Sequence, residues 1–539
     1  MTTDSKLINQ GGYGCIYYPS LPFKTSETHT TKQPSSKKYI SKLQKHNFHS
    51  EFEDFIGKQI QDIPCYELFF VPVLKTYQID LATIKRDYLN DCEAVSKYIK
   101  RATGAAKDYK HLNKMFIIQK MNYVRGLDLK KYLYKLIETE DAVPRKRGSK
   151  KRMVSDTEDD EDTEDDEDTE DDEDTTTTTD PKDEFISRSL RKDERQVRQL
   201  NEYFKIDEHK LSYHLLSILF DLYERITDSI QLLIKYGIIH YDLKHNNILI
   251  DNVTQLPLLI DFGLSIYIKR LEETPWKEKN ETSQTVDSDL MFKTQSSKLQ
   301  QNNYYWKQHF YVHAPEYYLW PLEVHIITFL INNGGGTGNG NGNGIGTGTG
   351  TGSRSDSEEQ PILSEDDLSV IIYQYIVNNR ALEYTSHTFK MKYMELCQQT
   401  FKPYTKKSRE YVVNTLFTKY WNTWDTYANN TMFLKLFYGL IMETKKIPAR
   451  THSPRAHDRD HTEDRQELHD PDTLYLIRHK DKIRFDERFQ IKLKDKYATN
   501  HKKLIDVIQI MLRNIHPNPE KRLTPQETKT FFSSVFYDC

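Results

Sequence analysis

Ile238-Ile239-His240-Tyr241-Asp242-Leu243-Lys244-His245-Asn246-Asn247-Ile248-Leu249-Ile250 sets an aspartate, a lysine and an asparagine at fixed offsets on a loop between two apolar, β-branched runs. Fourteen residues after Asn247 comes Asp261-Phe262-Gly263, at the end of a further apolar run from Leu256 to Ile260. Asp, Lys and Asn are poor residues for the core of a strand-to-strand loop unless a ligand or a metal satisfies them. Together the two strings supply the groups that phosphoryl transfer requires. One carboxylate serves an acceptor hydroxyl and another serves Mg²⁺, an amide gives a second contact to this oxygen-seeking cation, and a lysine meets phosphate charge.

Upstream, Leu7-Ile8 enters a glycine turn, Gly11-Gly12-Tyr13-Gly14, and Cys15-Ile16-Tyr17-Tyr18 leaves it. This predicts a hairpin whose backbone N–H groups can approach phosphate oxygens because no Cβ intervenes. By itself the turn describes a plain hairpin equally well. Residues 20–37 are rich in Ser, Thr, Lys and Pro and are expected to form a loop. Tyr39–Leu43 is a short predicted strand carrying Lys42, and Met115–Met121 is another. Between them Phe52, Phe55, Ile56 and Ile60 keep helical spacing, with Glu51 and Glu53 on the same helix. Residues 5–124 thus read as strands with one helix.

The middle of the chain changes character. A basic tract, Pro144 to Arg152, precedes three copies of Asp-Thr-Glu-Asp-Asp-Glu (156–161, 162–167, 168–173) and a polythreonine run. Like-charge blocks of this kind cannot collapse, so residues 141–200 are expected to be a disordered insert. The basic tract has the composition of a nuclear-import signal, but a simple counter-ion to the acidic repeats is the favoured reading. Ser155 and Thr157, upstream of carboxylates, are weaker candidates as phosphate acceptors. Leu211–Tyr236 is an amphipathic helix, with Leu215, Leu219, Leu222, Ile226, Ile230 and Leu233 on one stripe, and it delivers the chain to Gly237 and the opening string. Three further inserts are expected at 267–303 (polar), 332–362 (Gly, Asn and Thr) and 446–471 (charged, with histidines that solvate rather than bind metal). Helical patterns resume at Leu368–Asn378, Tyr411–Tyr420 and Met432–Ile441.

Bulk properties agree with folded parts diluted by solvated inserts. Hydrophobic content is 37%, charged content 29%, and mean hydropathy −0.76 over 539 residues. Residues 156–174 hold 16 acidic side chains and no basic ones; without them the formal net charge moves from −4 to +12. A basic remainder suits polyanionic ligands such as nucleotides or acidic protein segments, and equally a solvated surface. The five cysteines (Cys15, Cys65, Cys92, Cys397, Cys539) are odd in number and form no C-x-x-C pair. This argues for a reducing compartment and against a disulfide scaffold or a zinc site. The sequons at Asn252, Asn280 and Asn429 then carry no weight. Met1-Thr2-Thr3-Asp4 has no apolar signal core and no glycine for myristoylation, and Cys539 as last residue cannot be a prenylation box. The longest apolar run, near Val324–Ile331, is far too short to span a bilayer. The expectation is a soluble, intracellular protein without membrane contact, nucleic-acid motif or oligomer signal.

With these motifs in hand, the chain resembles a eukaryotic-type Ser/Thr protein kinase, with matches running in family order along most of its length. Asn9-Gln10-Gly11-Gly12-Tyr13-Gly14-Cys15-Ile16 resembles the glycine-rich nucleotide loop, with Asn9 replacing the first glycine. The resemblance makes Asn9, Gly11, Gly14 and Ile16 nucleotide contacts, and Lys42 the strand lysine paired with Glu53 or, alternatively, Glu51. Met121-Asn122-Tyr123-Val124 resembles the gatekeeper and hinge against adenine, so Met121, Tyr123 and Val124 join the nucleotide set. Asp128 stands where an acidic residue often meets ribose, and Leu249 also belongs to that set. His240-Tyr241-Asp242 resembles the catalytic triplet, Asp261-Phe262-Gly263 the magnesium motif, and Trp424-Asp425 the helix whose aspartate braces the catalytic loop. Ala314-Pro315-Glu316 resembles the triplet closing the activation segment, which implies a buried Glu316–Arg522 ion pair.

The resemblance implies a two-lobed α+β fold: a β-rich N-lobe over about 1–124 and a mainly helical C-lobe over about 125–539. It implies ATP and Mg²⁺ as cofactors, Asp242 and Lys244 as catalytic residues, Asn247 and Asp261 as metal ligands, and protein substrates whose Ser and Thr hydroxyls accept phosphate, the specificity that Lys244 signals. A monomer is expected. Three departures stand out. Tyr241 replaces the usual arginine, so nothing there clamps a phosphorylated activation loop. His309 stands where a threonine usually links Asp242 and Lys244, and Ile40 exceeds the usual alanine over adenine. A pseudokinase scaffold is therefore the second reading; a small-molecule kinase is a third, opposed by the closing triplet and Arg522. The run Ile56–Ile60 into Ile63–Tyr66, the low-complexity inserts and the abundant Asn, Lys and Tyr also resemble kinases of giant nucleocytoplasmic DNA viruses. That likeness implies host cytoplasm, viral factory or virion.

Overall fold

A computed structural model describes residues 5–537 except 12–13, 26–27, 33–37, 80, 82–83, 104–114, 142–207, 278–303, 333–361, 384, 386, 447–476, 480–481, 485–488 and 494–500. The expected inserts at 141–200, 267–303, 332–362 and 446–471 therefore lie largely outside the described residues, as do Ser155 and Thr157. Contacts divide the chain into residues 1–133 with 218–539, which hold both lobes, and residues 134–217.

The N-lobe is built on an antiparallel sheet of β1 (Lys6–Gly11), β2 (Gly14–Tyr18), β5 (Tyr39–Lys45), β7 (Phe116–Asn122) and β6 (Lys75–Gln78), in the order β1-β2-β5-β7-β6. Residues opposite one another across a ladder point to one face. The register Ile16↔Lys42↔Gln119, with Ile40↔Met121 beside it, therefore gathers Ile16, Ile40, Lys42 and Met121 on a common face. Residues 20–37 are not only loop, since β3 (Phe23–Thr25) and β4 (Thr28–Lys32) pair within them. Helix α1 (Phe48–Gln61) starts where Asn47 and Ser50 exchange side-chain and backbone hydrogen bonds at 3.0 Å each, a reciprocal cap. It buries Phe52, Ile56 and Ile60.

Two more N-lobe helices, α2 (Arg86–Asp91) and α3 (Glu93–Thr103), correct the expectation of one helix. They sit in highly charged sequence and bury Tyr88, Leu89, Val95 and Ile99 in a core with Cys15, Tyr17, Leu43 and Phe116, with Ala94 and Tyr98 packed against it. The cysteine expectation is also corrected. Cys15 on β2 is bonded to Cys92 between α2 and α3, with Cα atoms 5.8 Å apart and both side chains fully buried. A 77-residue separation brought together by tertiary packing leaves no local spacing signature, and the argument from cysteine usage to a reducing compartment falls.

Helix α4 (Leu129–Asp141) follows β8 (Gly126–Asp128), and α5 (Glu208–Lys235) runs to Gly237, whose φ of 67° ends the helix and turns the chain into β9 (Ile238–Ile239). β10 (Ile248–Asp251) pairs with β8 and β11 (Pro257–Leu259), and β9 pairs with β12 (Ile266–Tyr267). These two small sheets hold the loop of the opening motif between them. The rest of the C-lobe is largely helical: α6 (Ile268–Glu272), α7 (Tyr304–His309), α8 (Leu322–Asn332), α9 (Glu365–Asn378), α10 (His387–Phe401), α11 (Arg409–Tyr420), α12 (Trp424–Ile441), α13 (His501–Asn514) and α14 (Pro525–Tyr537). The two-lobed α+β architecture expected from the sequence is present. Among the described residues no helix is long and apolar enough to cross a membrane.

Candidate functional site

The N-lobe delivers a cation to the cleft. Lys42 Nζ on β5 lies 3.0 Å from both Glu53 carboxylate oxygens and 3.1 Å from Asp261 Oδ1. Glu53 is thus the partner, and Glu51 bonds instead to His46 Nε2 at 2.8 Å. Gln44 Nε2 also donates to Glu53 at 3.1 Å. Burial alone would push the Lys42 ammonium down; the Glu53 and Asp261 carboxylates outweigh it and hold it above its usual range. Burial pushes the Glu53 carboxyl up against the pull of Lys42. Lys42, above all, holds Asp261 below the usual carboxylate range, against burial.

The catalytic-loop string is pinned from below. Asp425 at the start of α12 accepts from the backbone N–H of His240 at 2.6 Å and of Tyr241 at 3.0 Å. Burial raises its carboxyl, and His240 together with the two backbone N–H groups pulls it back. These bonds, with Trp320 Nε1 donating to the Tyr241 carbonyl at 2.9 Å, hold Tyr241 at φ 67°, a left-handed conformation unusual for a bulky residue. The Tyr241 ring is buried and stacks on Trp320 at 4.8 Å, with Phe310 edge-on at 5.7 Å. An aromatic plug thus fills the place of the expected arginine. Phe262 packs between Phe70 and His240, at 6.1 and 5.0 Å, and so ties the Asp261 string to both lobes.

Asp242 is the most heavily bonded group. Its Oδ2 accepts from Lys244 Nζ at 2.8 Å and from Asn247 Nδ2 at 3.0 Å, while Asn247 Nδ2 also donates to the Asp242 carbonyl at 2.9 Å. With its nitrogen so used, Asn247 has its amide oxygen left for a cation. The Ile260 N–H donates to the Asn247 carbonyl at 3.0 Å and His240 Nε2 lies 3.0 Å from the Ile260 carbonyl, so the string ending at Asp261 runs beside the loop that carries Asp242. Among the described residues no group of three or more His, Cys, Asp or Glu could hold a metal. Asn247 and Asp261 still fit Mg²⁺, which is usually held by one or two protein oxygens with phosphate and water completing the shell.

Above the cleft, Met121, Val71, Val73 and Leu258 are buried together with Ile40, Val124 and Ile260 packed against them, an apolar wall suited to a flat base. Leu249 on β10 is half-buried opposite Leu258. Tyr123 N–H donates to the Lys38 carbonyl at 2.8 Å, and its ring stacks on Tyr18 at 3.8 Å. Asp128, expected to meet ribose, stands at the start of α4, where its oxygens take the Lys131 N–H and ammonium, each at 3.0 Å. Gly11 and Gly14 pair across the hairpin end, and a Cβ on Gly14 would lie 2.4 Å from the Leu43 carbonyl, so packing demands that glycine. Asn9 is exposed and accepts from Gln10 N–H at 2.9 Å; Gly12 and Tyr13 lie outside the described residues.

One expected contact is corrected. Arg522 pairs with Glu323, at 2.6 and 3.1 Å, not with Glu316. Glu316 is exposed, whereas Glu323 is fully buried on α8, so burial selects the second glutamate after a proline. His309, standing where a threonine usually links Asp242 and Lys244, packs edge-on against Phe48 and Phe52 of α1 at 5.3 and 4.6 Å. The side chain that does reach Asp242 is Tyr317, whose hydroxyl donates to Oδ1 at 2.5 Å. Sequence reasoning missed it; reading the closing triplet at Pro321-Leu322-Glu323 would have drawn attention to the residues just ahead of Glu323.

No family model matches the chain, and no curated protein matches it. Among solved structures it is similar to the BubR1 kinase domain (14% identity, 49% of this chain and 47% of that one, TM-score 0.24). It is also similar to the autoinhibited serine kinase domain of the giant muscle protein titin (10% identity, 50% and 46%, TM-score 0.22). The chain spans about half the length of either match.

Proposed function

We propose that the protein is an ATP- and Mg²⁺-dependent protein kinase that transfers the γ-phosphoryl group to Ser or Thr hydroxyls. The observation that carries this reading is Lys42 Nζ held between Glu53 and Asp261, with the strand end before Asp261 hydrogen-bonded to the loop that carries Asp242 and Asn247. Lys42 meets the α/β-phosphates, and Asp242 accepts or orients the acceptor's hydroxyl proton as that oxygen attacks phosphorus. Lys244, 2.8 Å from Asp242, stabilises charge on the moving group. Asn247 and Asp261 would hold Mg²⁺, whose charge offsets that of the phosphates. Met121, Val124 and Ile40 seat the base, with Leu249 below. Tyr241 in its aromatic plug favours activity that does not depend on activation-loop phosphorylation. The resemblance to giant-virus kinases belongs to this reading.

The test is transfer of labelled phosphate to a generic basic protein by the wild-type chain and Asp242→Asn. The variant should be slower on the order of 10²–10⁴-fold; equal rates would remove Asp242 from the chemistry. A second reading, a nucleotide-binding pseudokinase, is favoured by the occupied Oδ1 of Asp242. Stabilisation by Mg·ATP in a thermal melt without any transfer would select it.

A further inference from the structure

Asp242 offers two oxygens, and they are not equivalent. Oδ2 is taken by Lys244 and Asn247. Oδ1 is the oxygen left for an incoming hydroxyl, and the Tyr317 hydroxyl donates to it. The tyrosine is held there. Its ring lies 4.8 Å from that of Trp320, and its backbone N–H donates to the Ala314 carbonyl at 2.9 Å. Trp320 is in turn stacked on Tyr241 and bonded to its carbonyl, so the phenol hangs from the catalytic loop itself. Burial, with Asp242 adding to it, keeps the phenol well above its ordinary pKa and hence a donor. Yet Tyr317 is only half-buried, beside exposed Glu316, so its ring has a way out of the cleft.

We propose that Tyr317 is a built-in competitor for the acceptor hydroxyl: it fills the acceptor position on Asp242, and a substrate must displace it before phosphate moves. The proposal rests on the kinase reading of the cleft. It differs from a supporting role in the sign of its effect. A brace for Asp242 would make the Phe variant slower, whereas a competitor makes it faster.

The test compares the full-length chain with Tyr317→Phe, which keeps the ring and removes only the donor, on a Ser-containing peptide with Mg·ATP. Tyr317→Phe should raise kcat/KM roughly ten- to hundredfold, the factor a hydrogen bond to a charged group is worth. The gain should come mainly through a lower peptide KM, with stabilisation by Mg·ATP unchanged. Equal or slower transfer by Tyr317→Phe, with Mg·ATP binding intact, would overturn the proposal. So would phosphate found on Tyr317 itself, which would make it an acceptor. Transfer by neither protein above the Asp242→Asn background would instead bring down the kinase reading, and the competitor with it.

Discussion

Lys42–Glu53 in the N-lobe and Arg522–Glu323 in the C-lobe are both ion pairs enclosed by the fold, and they differ in what else they touch. Arg522 and Glu323 are 1% and 0% exposed; the guanidinium also donates to the His516 carbonyl and to Thr423 Oγ1 and lies 5.0 Å from the Tyr427 ring. That pair is saturated. Lys42 shares its charge with a third group, Asp261, whose side chain is 48% exposed to the cleft. A shared set with one open member can exchange partners when a polyphosphate arrives; a saturated pair only holds helices together.

The comparison is broken most directly at its sealed end. Arg522→Met strands Glu323 in the core and should cost about 3–5 kcal/mol in urea unfolding. The same cost from Glu316→Gln, which should change little, would return the pair to the register the sequence suggested. At the open end, Lys42→Met should cut phosphoryl transfer by about 10²-fold or more. Its effect on the unfolding midpoint should be smaller than that of Arg522→Met, because burial pushes the Glu53 carboxyl up and, with Lys42 gone, it can take up a proton. A midpoint loss as large as for Arg522→Met would erase the distinction.

Each region also buries an uncharged histidine: His309 against α1, near His49 and Arg270, and His325 beside Tyr375 on the helix that carries Glu323. Burial pushes both down to about 3, from 6.5. The unfolded chain therefore binds more protons between those values, so stability is full above about pH 6.5 and falls as pH drops toward 3. The urea midpoint should be lower at about pH 5 than at about pH 7.5, by a few kcal/mol in all, and His309→Phe should flatten part of that slope. An unchanged slope would mean that His309 is not buried neutral. The smallest effect belongs to Tyr241, whose hydroxyl is buried without a hydrogen-bond partner among the described residues. Tyr241→Phe should be neutral or stabilise by up to about 1 kcal/mol in the same assay; a clear loss would mean the hydroxyl is used.

The cleft was legible because its chemistry is written at short, fixed spacings. Asp242, Lys244, Asn247 and Asp261 sit on loops whose flanking apolar runs announce the strands, and Glu53 lies on a helix with clear periodicity. What escaped was decided by burial and by distance along the chain. Ala314-Pro315-Glu316 and Pro321-Leu322-Glu323 are alike as strings, and only the core tells them apart. Cys15 and Cys92 meet because α2 and α3, short and highly charged, fold back onto the hairpin strand, which no local pattern records. Tyr317 carries no motif of its own; its importance comes from which oxygen of Asp242 remains open.

The link between Cys15 and Cys92 closes a loop of nearly eighty residues, which holds α1, strands β5 and β6 and nearly all of β2. A tether of that span acts chiefly on the denatured chain, removing conformational freedom worth about 4 kcal/mol in the chain-entropy picture. Oxidised and reduced copies of this protein would then present the same cleft and differ in how large an ensemble each gives up to fold.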